Sequence, residues 1–355
     1  MRQSHLPQHS WLVLLTATAV AGCMTVHPLE SRDSRQTVQQ LPLSCQVAAQ
    51  RPQGKDEFSA DRPGVAHFVN SFQTRRRKFF RDALERSGKY RPRMVAILER
   101  AGVPTELVYV PLIESGYRPS VVSPAGAAGL WQFIRETGRR YGLRVDAYVD
   151  ERRDPIKSTR AAARYLRDLH DRFGSWPLSL AAYNVGAQRI AYVLERRKDS
   201  TYWDMQRSLP RETIDYVPQF LAAVHIARTP EAHGFAPPAD VPLQYDLVRV
   251  HRSLTLRAIA QLAGVSVAEL TELNPALVRS ITPPDRRGYQ LRLPKGAKAR
   301  FKLACAGMDR RIGGTIHDLE PAPAKCRAAA STLCENARRP GPAAGGGSRG
   351  SQWSV

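Results

Sequence analysis

From residue 65 onward apolar side chains recur at helical spacing, and the chain reads as a series of helices as far as about residue 230. The stretch from Phe68 to Ser87 is helical, with Arg75-Arg76-Arg77-Lys78 as a solvated face, and Gly88-Lys89-Tyr90-Arg91-Pro92 breaks it. A second helix runs through Met94, Ile97 and Leu98 and stops at Gly102-Val103-Pro104. Pro104-Thr105-Glu106 opens another, carrying Leu107, Val110, Leu112, Ile113 and Glu114. Ser158 is an N-cap candidate for a helix whose stripe of Ala162, Tyr165, Leu166, Leu169 and Phe173 ends at Gly174. A shorter apolar segment, Leu178 to Val185, stops at Gly186, and Ile214, Val217, Leu221 and Val224 mark a helix from about Thr213 to Ala227. Strand signals are scarce throughout, so the fold class expected here is mainly α.

The pattern changes at Gly234-Phe235-Ala236-Pro237-Pro238, which reads as a linker. Tyr245 to Val250 alternates like a strand, Leu254 to Leu262 and Val267 to Leu273 form two short helices around Gly264, and Tyr289 to Leu293 alternates again. This places a helical unit over 64–232, a small β-α-α-β module over 240–296, and a largely disordered tail over 297–355, rich in Ala, Pro and Gly. Residues 23–63 are polar and aperiodic, a tether.

Residues 1–22 read as an export leader: Arg2 precedes an apolar stretch from Trp11 to Ala21 that is too short to span a bilayer comfortably. Val20-Ala21-Gly22-Cys23 resembles the lipobox of bacterial lipoproteins, which implies cleavage before Cys23 and diacylation of its thiol; an ordinary secretory signal that happens to hold a cysteine is the other reading. Met24, in place of Asp, implies by the same resemblance the periplasmic face of the outer membrane, with the lipid partner reached through acylated Cys23. Beyond it lie Cys45, Cys305, Cys326 and Cys334, which allow three pairings that the sequence does not choose between. An apolar content of 43% suffices for a sizeable core, and a net charge of +21 favours anionic partners. Nucleic acid is excluded among these: the chain has no zinc-ligand spacing and no RNA-binding aromatic signature, and the leader exports it. The histidines show no metal-ligand spacing either, and neither metal nor cofactor is expected.

The chemistry gathers in Leu112-Ile113-Glu114-Ser115-Gly116-Tyr117 and in Ser123-Pro124-Ala125-Gly126-Ala127-Ala128-Gly129-Leu130-Trp131-Gln132-Phe133. Glu114 ends an apolar run, and burial there disfavours its anion and raises its pKa, as a general acid near neutral pH requires. Read on its own, the same carboxylate equally suits a helix cap or an arginine partner. With Ala181-Ala182-Tyr183-Asn184-Val185-Gly186 and Glu212-Thr213-Ile214-Asp215-Tyr216-Val217 following in order, the set resembles the lytic transglycosylase domain, related in fold to goose-type lysozyme.

That resemblance implies a lysozyme-like helical catalytic domain that acts on peptidoglycan glycan strands with Glu114 as the single acid/base. It implies that Ser123, Gln132, Tyr183, Asn184 and Tyr216 line the sugar cleft, with Tyr216 nearest the carboxyl. Trp131 is either a stacking platform or a packed core aromatic, Glu212 is structural, and Asp150, Glu151 and Asp154 order a loop. The implied reaction cleaves the MurNAc-GlcNAc β-1,4 bond and leaves 1,6-anhydroMurNAc ends. A lysozyme-type hydrolase and a non-catalytic wall-binding tether are the alternatives. The C-terminal module resembles LysM modules, with Asn274-Pro275 and Leu293-Pro294 in place but Arg252-Ser253-Leu254-Thr255 where a Gly-Asp-Thr-Leu start is usual. Glycan binding and a purely structural role both stand for it.

Replacing the candidate lipidation site, Cys23→Ser, should abolish labelling by a lipid precursor and release the protein from the outer-membrane fraction. Unchanged labelling and fractionation would refute the lipoprotein reading.

Overall fold

The computed structural model describes residues 57–197, 201–285 and 287–311. The leader, Cys23, Cys45, Cys326, Cys334 and the tail after 311 lie outside the described residues.

The helical region begins with α1 (Val65–Gln73) and α2 (Arg77–Ser87), so the single helix expected over 68–87 is two. Thr74 breaks it: its backbone leaves the helical region, and its hydroxyl donates to the Asn70 carbonyl oxygen at 2.7 Å. The turn brings Phe72 and Phe80 together in the core, ring centroids 4.6 Å apart. Of the run Arg75-Arg76-Arg77-Lys78, Arg75, Arg77 and Lys78 are exposed, as a solvated face requires, and Arg76 is half-buried. The Arg76 guanidinium lies 5.1 Å and 5.0 Å from the Phe72 and Phe79 ring centroids. Arg77 lies over Phe235 and donates to the Gly234 carbonyl oxygen at 2.6 Å.

Next come α3 (Arg91–Arg100), a 3-10 turn at Thr105–Tyr109, the short α4 (Val110–Glu114) and α5 (Arg135–Arg140). The longest helix, α6 (Pro155–Phe173), starts three residues before the expected cap. Its N-cap is Asp154, whose Oδ1 accepts from the backbone N–H of Ile156 and Lys157 at 2.9 Å each, and Pro155 occupies the first turn. Ser158 is buried inside the helix and donates to the Asp154 carbonyl oxygen instead. Gly174, with φ +63°, ends α6.

Then follow α7 (Trp176–Val185), α8 (Ala187–Arg196), which the apolar pattern did not separate, α9 (Tyr202–Met205) and α10 (Arg211–Arg228). Helix α10 is central: Val217, Phe220, Leu221, Ala222, Ala223, Val224 and Ile226 are fully buried, and it packs on α1, α4 and α7.

In the C-terminal module β1 (Tyr245–Val250) pairs antiparallel with β2 (Tyr289–Pro294), in register from Tyr245 opposite Pro294 to Val250 opposite Tyr289. Between them lie α11 (Leu256–Ala263), capped by Thr255, and α12 (Val267–Leu273), opened by a Ser266/Glu269 capping box. The module does not end at residue 296. A further helix, α13 (Lys298–Arg311), follows β2 and seats Phe301 in the module core. Its sequence carries no apolar stripe, which is why the pattern placed it in the tail.

The two parts are joined by more than the linker. Val149, from the loop before α6, is fully buried in the core of the module. Backbone bonds flank it, Asp150 N–H to the Ala276 carbonyl at 2.8 Å and Val278 N–H to the Tyr148 carbonyl at 3.0 Å. Arg292 of β2 pairs with Asp154 at 2.8 Å, both side chains nearly buried. Within the linker itself, Phe235 is buried against Phe80.

Arg292→Ala leaves the buried Asp154 carboxylate without its cation and should cost about 3 kcal/mol of stability. Lys89→Ala, which removes the exposed pair with Glu272, should cost less than about 1 kcal/mol. Denaturant titration of the two variants checks the contrast, and equal losses would show that the Asp154–Arg292 pair does not hold the junction.

Candidate active site

The chain turns sharply after α4. Gly116 and Tyr117 both take left-handed conformations, φ +56° and +57°. Glycine suits position 116: its φ is positive, and a Cβ there would press on the Phe79 ring at 3.1 Å and the Arg86 guanidinium at 3.2 Å. Arg86 Nε donates to the Gly116 carbonyl at 2.8 Å, and the Tyr117 hydroxyl donates to the Val108 carbonyl, so the turn is held from both sides. Ser115 Oγ donates to the Leu130 carbonyl at 2.9 Å. That bond ties the end of α4, and hence Glu114, to the glycine-rich loop.

The loop folds on itself. Ser123 Oγ accepts from Ala127 N–H at 3.1 Å, while Ser123 N–H donates to the Ala127 carbonyl at 2.8 Å. Gln132 sits at φ +45°, its Nε2 donating to the Gly129 carbonyl at 2.7 Å. Gly129, with φ +83°, is pressed against the Arg152 backbone so closely that a Cβ would fall 1.8 Å from the Arg152 carbonyl oxygen. The Arg152 side chain is buried. Its Nη1 donates to the Gly126 and Phe133 carbonyls at 2.7 and 2.9 Å, and its Nε and Nη2 donate to the two oxygens of Asp150 at 2.9 and 2.8 Å.

Glu114 is half-buried and is bonded to α10: the Tyr216 hydroxyl donates to Glu114 Oε1 at 2.7 Å. Desolvation pushes the Glu114 pKa up to about 7; the Tyr216 hydrogen bond opposes the rise, and the charge of Glu212 adds to it. Glu212 itself is exposed on the first turn of α10. Burial and the nearby Glu114 carboxylate lift the Tyr216 and Tyr183 phenols well above the ordinary tyrosine value, so both stay neutral donors. The Tyr183 hydroxyl donates to the Trp131 carbonyl at 2.5 Å, and Asn184 Oδ1 accepts from Thr213 Oγ1 at 2.8 Å.

Of the residues singled out in the sequence, Glu114 and Tyr216 are brought into direct contact, and Tyr183 stands close enough to feel the Glu114 carboxylate. Ser123 and Gln132 make the bonds described here within the loop, and Asn184 bonds to α10. Trp131 is fully buried with its indole N–H on Thr159 Oγ1 at 2.9 Å, which makes it a core aromatic rather than a stacking platform. Three contributors escaped sequence reasoning: Arg152, Arg86 and Ser115. Arg152 had a signal, since an arginine flanked by two aspartates in a loop beside a glycine-rich segment is a natural cross-brace.

Residues 95–206 match the family described as Transglycosylase SLT domain. The match falls wholly within the helical region. Residues 244–309 match the family described as Lytic transglycosylase MltD, LysM-like domain. Tyr216 lies beyond the matched SLT residues. Among curated relatives, Membrane-bound lytic murein transglycosylase D of Escherichia coli strain K12 is 35% identical over 207 residues, 56% of this chain and 45% of that protein. Membrane-bound lytic murein transglycosylase F of Alcanivorax borkumensis is 34% identical over 110 residues, 27% of this chain and 22% of that protein. The chain therefore spans less than half the length of each. The solved 70-kDa soluble lytic transglycosylase of Escherichia coli is 25% identical, with a TM-score of 0.32 over 41% of this chain and 25% of that one.

The raised pKa of the SLT-domain carboxyl has a stability consequence with a definite sign. The folded state holds the Glu114 proton up to about pH 7, whereas the unfolded chain releases it near 4.5. The folded protein therefore binds more protons in this window, and stability falls as pH rises through it. Glu114→Gln removes the dependence, and its stability advantage over the original chain should grow by up to about 3 kcal/mol between pH 4 and pH 8.5. Chemical denaturation at the two pH values measures it, and an advantage independent of pH would show that Glu114 is not desolvated.

Proposed function

We propose that the chain is a peptidoglycan lytic transglycosylase that cleaves the MurNAc-GlcNAc β-1,4 bond in cell-wall remodelling or turnover. The observation that carries this reading is a half-buried carboxyl with a pKa near 7, bonded to a phenol that stays neutral, at the end of a helix tied to a glycine-rich loop. Support comes from the SLT-domain match and from two relatives named as lytic murein transglycosylases.

Protonated Glu114 donates to the glycosidic oxygen as the bond from MurNAc C1 breaks, and the MurNAc 2-acetamido carbonyl stabilises the cationic centre. The resulting carboxylate takes the proton of the C6 hydroxyl, whose oxygen attacks C1 and closes the 1,6-anhydro ring. The proton returns to Glu114 and no water is consumed. A pKa near 7 suits a group that must give and take one proton in the same cycle. Tyr216 steadies Glu114 Oε1 and supplies a hydrogen bond that favours the ionised half of the cycle. Ser123, Gln132, Tyr183 and Asn184 shape the cleft for the sugars. Attack by a hydroxyl already held on the substrate gains the effective-molarity advantage of an intramolecular reaction.

In this reading the enzyme is a lipoprotein held through acylated Cys23 on the periplasmic face of the outer membrane. The leader and the Val20-Ala21-Gly22-Cys23 pattern support it, as does the membrane-bound naming of the relatives.

Glu114→Gln keeps the shape of the side chain and an acceptor for Tyr216 but cannot carry the proton. It should bind glycan strands yet release anhydromuropeptides at least 100-fold more slowly, the lower end of what general acid/base action contributes. Release from purified sacculi, read by mass spectrometry, is the test. Near-normal turnover by the folded variant overturns the role of Glu114, and hydrated reducing ends from the unaltered protein move the reaction to hydrolysis.

A further inference from the structure

At the seam between the SLT domain and the LysM-like module lies a cavity of about 300 Å³ that the catalytic reading does not use. It is lined from the helical side by Arg144, Glu151 and Lys157, and from the module by Arg249, Asp285 and Arg287, with Tyr289 and Gln290 closing it. Four cations thus face two carboxylates. The carboxylates are already engaged, Asp285 with Arg144 at 2.9 Å and Glu151 with Lys157 at 2.5 Å. Arg144 also reaches Asp146, outside the cavity, at 2.5 Å. Arg249 donates to the Arg287 carbonyl oxygen at 3.3 Å and makes no ion pair among the described residues, while the Arg287 backbone N–H donates to Asp285 Oδ1 at 2.9 Å and its guanidinium acts on Asp285 only at longer range.

The walls are built rather than accidental. Gly288, at φ +77°, lets the chain pass so close to Arg249 that a Cβ would stand 2.5 Å from Arg249 Cγ. On the other wall Glu151 is followed directly by Arg152, which holds the Gly126 and Phe133 carbonyls of the glycine-rich loop. One wall of the cavity is therefore the chain neighbour of the strut that holds the glycine-rich loop. Clefts between domains are favoured places for ligands, and paired guanidinium forks match the planar geometry of a carboxylate.

We propose that this seam binds the carboxylate groups of the peptide stems carried by the glycan strand, which makes it a second substrate subsite. The inference rests on the transglycosylase reading and extends it to the part of the polymer that the sugar cleft does not contact. Carboxylate is favoured over phosphate because the two resident carboxylates repel a dianion more strongly than a monoanion. The Gln290 amide and the Arg287 backbone carbonyl offer partners for the stem's peptide groups.

The test uses the whole protein and two substrates, glycan strands with intact stems and strands stripped of stems by an amidase. The unaltered protein should show a lower KM for stemmed strands. The exposed double variant Arg249→Gln/Arg287→Gln should raise that KM roughly three- to tenfold, as expected for two exposed charge-assisted contacts, with kcat on stripped strands unchanged. The preference should also fade as salt is raised. Equal KM for the two substrates, or a double variant that keeps the preference, overturns the proposal. Titration with a free stem tetrapeptide provides an arm independent of turnover. Binding that disappears in the double variant supports the subsite even if no anhydro product forms, and displacement by inorganic phosphate at lower concentration than the peptide overturns the choice of ligand. Failure of the unaltered protein to release anhydro product from stripped strands counts against the transglycosylase reading alone.

Discussion

A guanidinium buried away from water must be paired and hydrogen-bonded, and Arg152 meets both needs in a way that organises the molecule. Asp150 neutralises it with both oxygens, and the remaining donors reach the Gly126 and Phe133 carbonyls on either side of the glycine-rich loop. Removing either partner would strand the other charge, so loop, arginine and aspartate form one unit. Gly129 lies against the Arg152 backbone with no room for a side chain, and Leu130 accepts the Ser115 hydroxyl. Glu114 is thus held from the loop side by its neighbour and from the α10 side by Tyr216.

The same segment reaches the other way. Val149 plugs the core of the LysM-like module, Asp150 N–H bonds to Ala276, and Asp154 both caps α6 and pairs with Arg292. Six consecutive residues, 149–154, therefore carry a domain junction, a helix cap and the brace of the cleft. Through these contacts the module supports the segment that braces the glycine-rich loop. Its altered Arg252-Ser253-Leu254-Thr255 start fits this role: Thr255 still caps α11, and the Leu254 amide is held by Thr282 Oγ1 at 2.8 Å.

The electrostatics of the site follow from competition between burial and hydrogen bonding. Desolvation is the largest influence on Glu114 and outweighs the bond from Tyr216, so the carboxyl holds a proton near neutral pH. The tyrosines around it are buried as well, and for a phenol burial favours the neutral form that donates. One environment thus keeps both the carboxyl and the phenols protonated near neutral pH.

Most of the helices, the two strands and the meeting of Glu114 with Tyr216 were legible in the residue pattern and the resemblance it carries. Apolar spacing marks α6, α10 and the β-α-α-β order, because each element hides one face and the period survives in the residue pattern. Glu114 was legible as an acid at the end of an apolar run, and Tyr216 as its neighbour by resemblance. Folding in three dimensions settled that Arg76 and Arg77 lie over aromatic rings, that Asp154 rather than Ser158 caps α6, and that α13 belongs to the module. Trp131 likewise went to the core rather than to the sugars. Two of these depend on a partner far away in the chain, Phe235 for Arg77 and the module core for Phe301. Local periodicity records which face of an element is buried, but a charge pair or a single anchoring side chain leaves no period, and its partner appears only when the chain has folded.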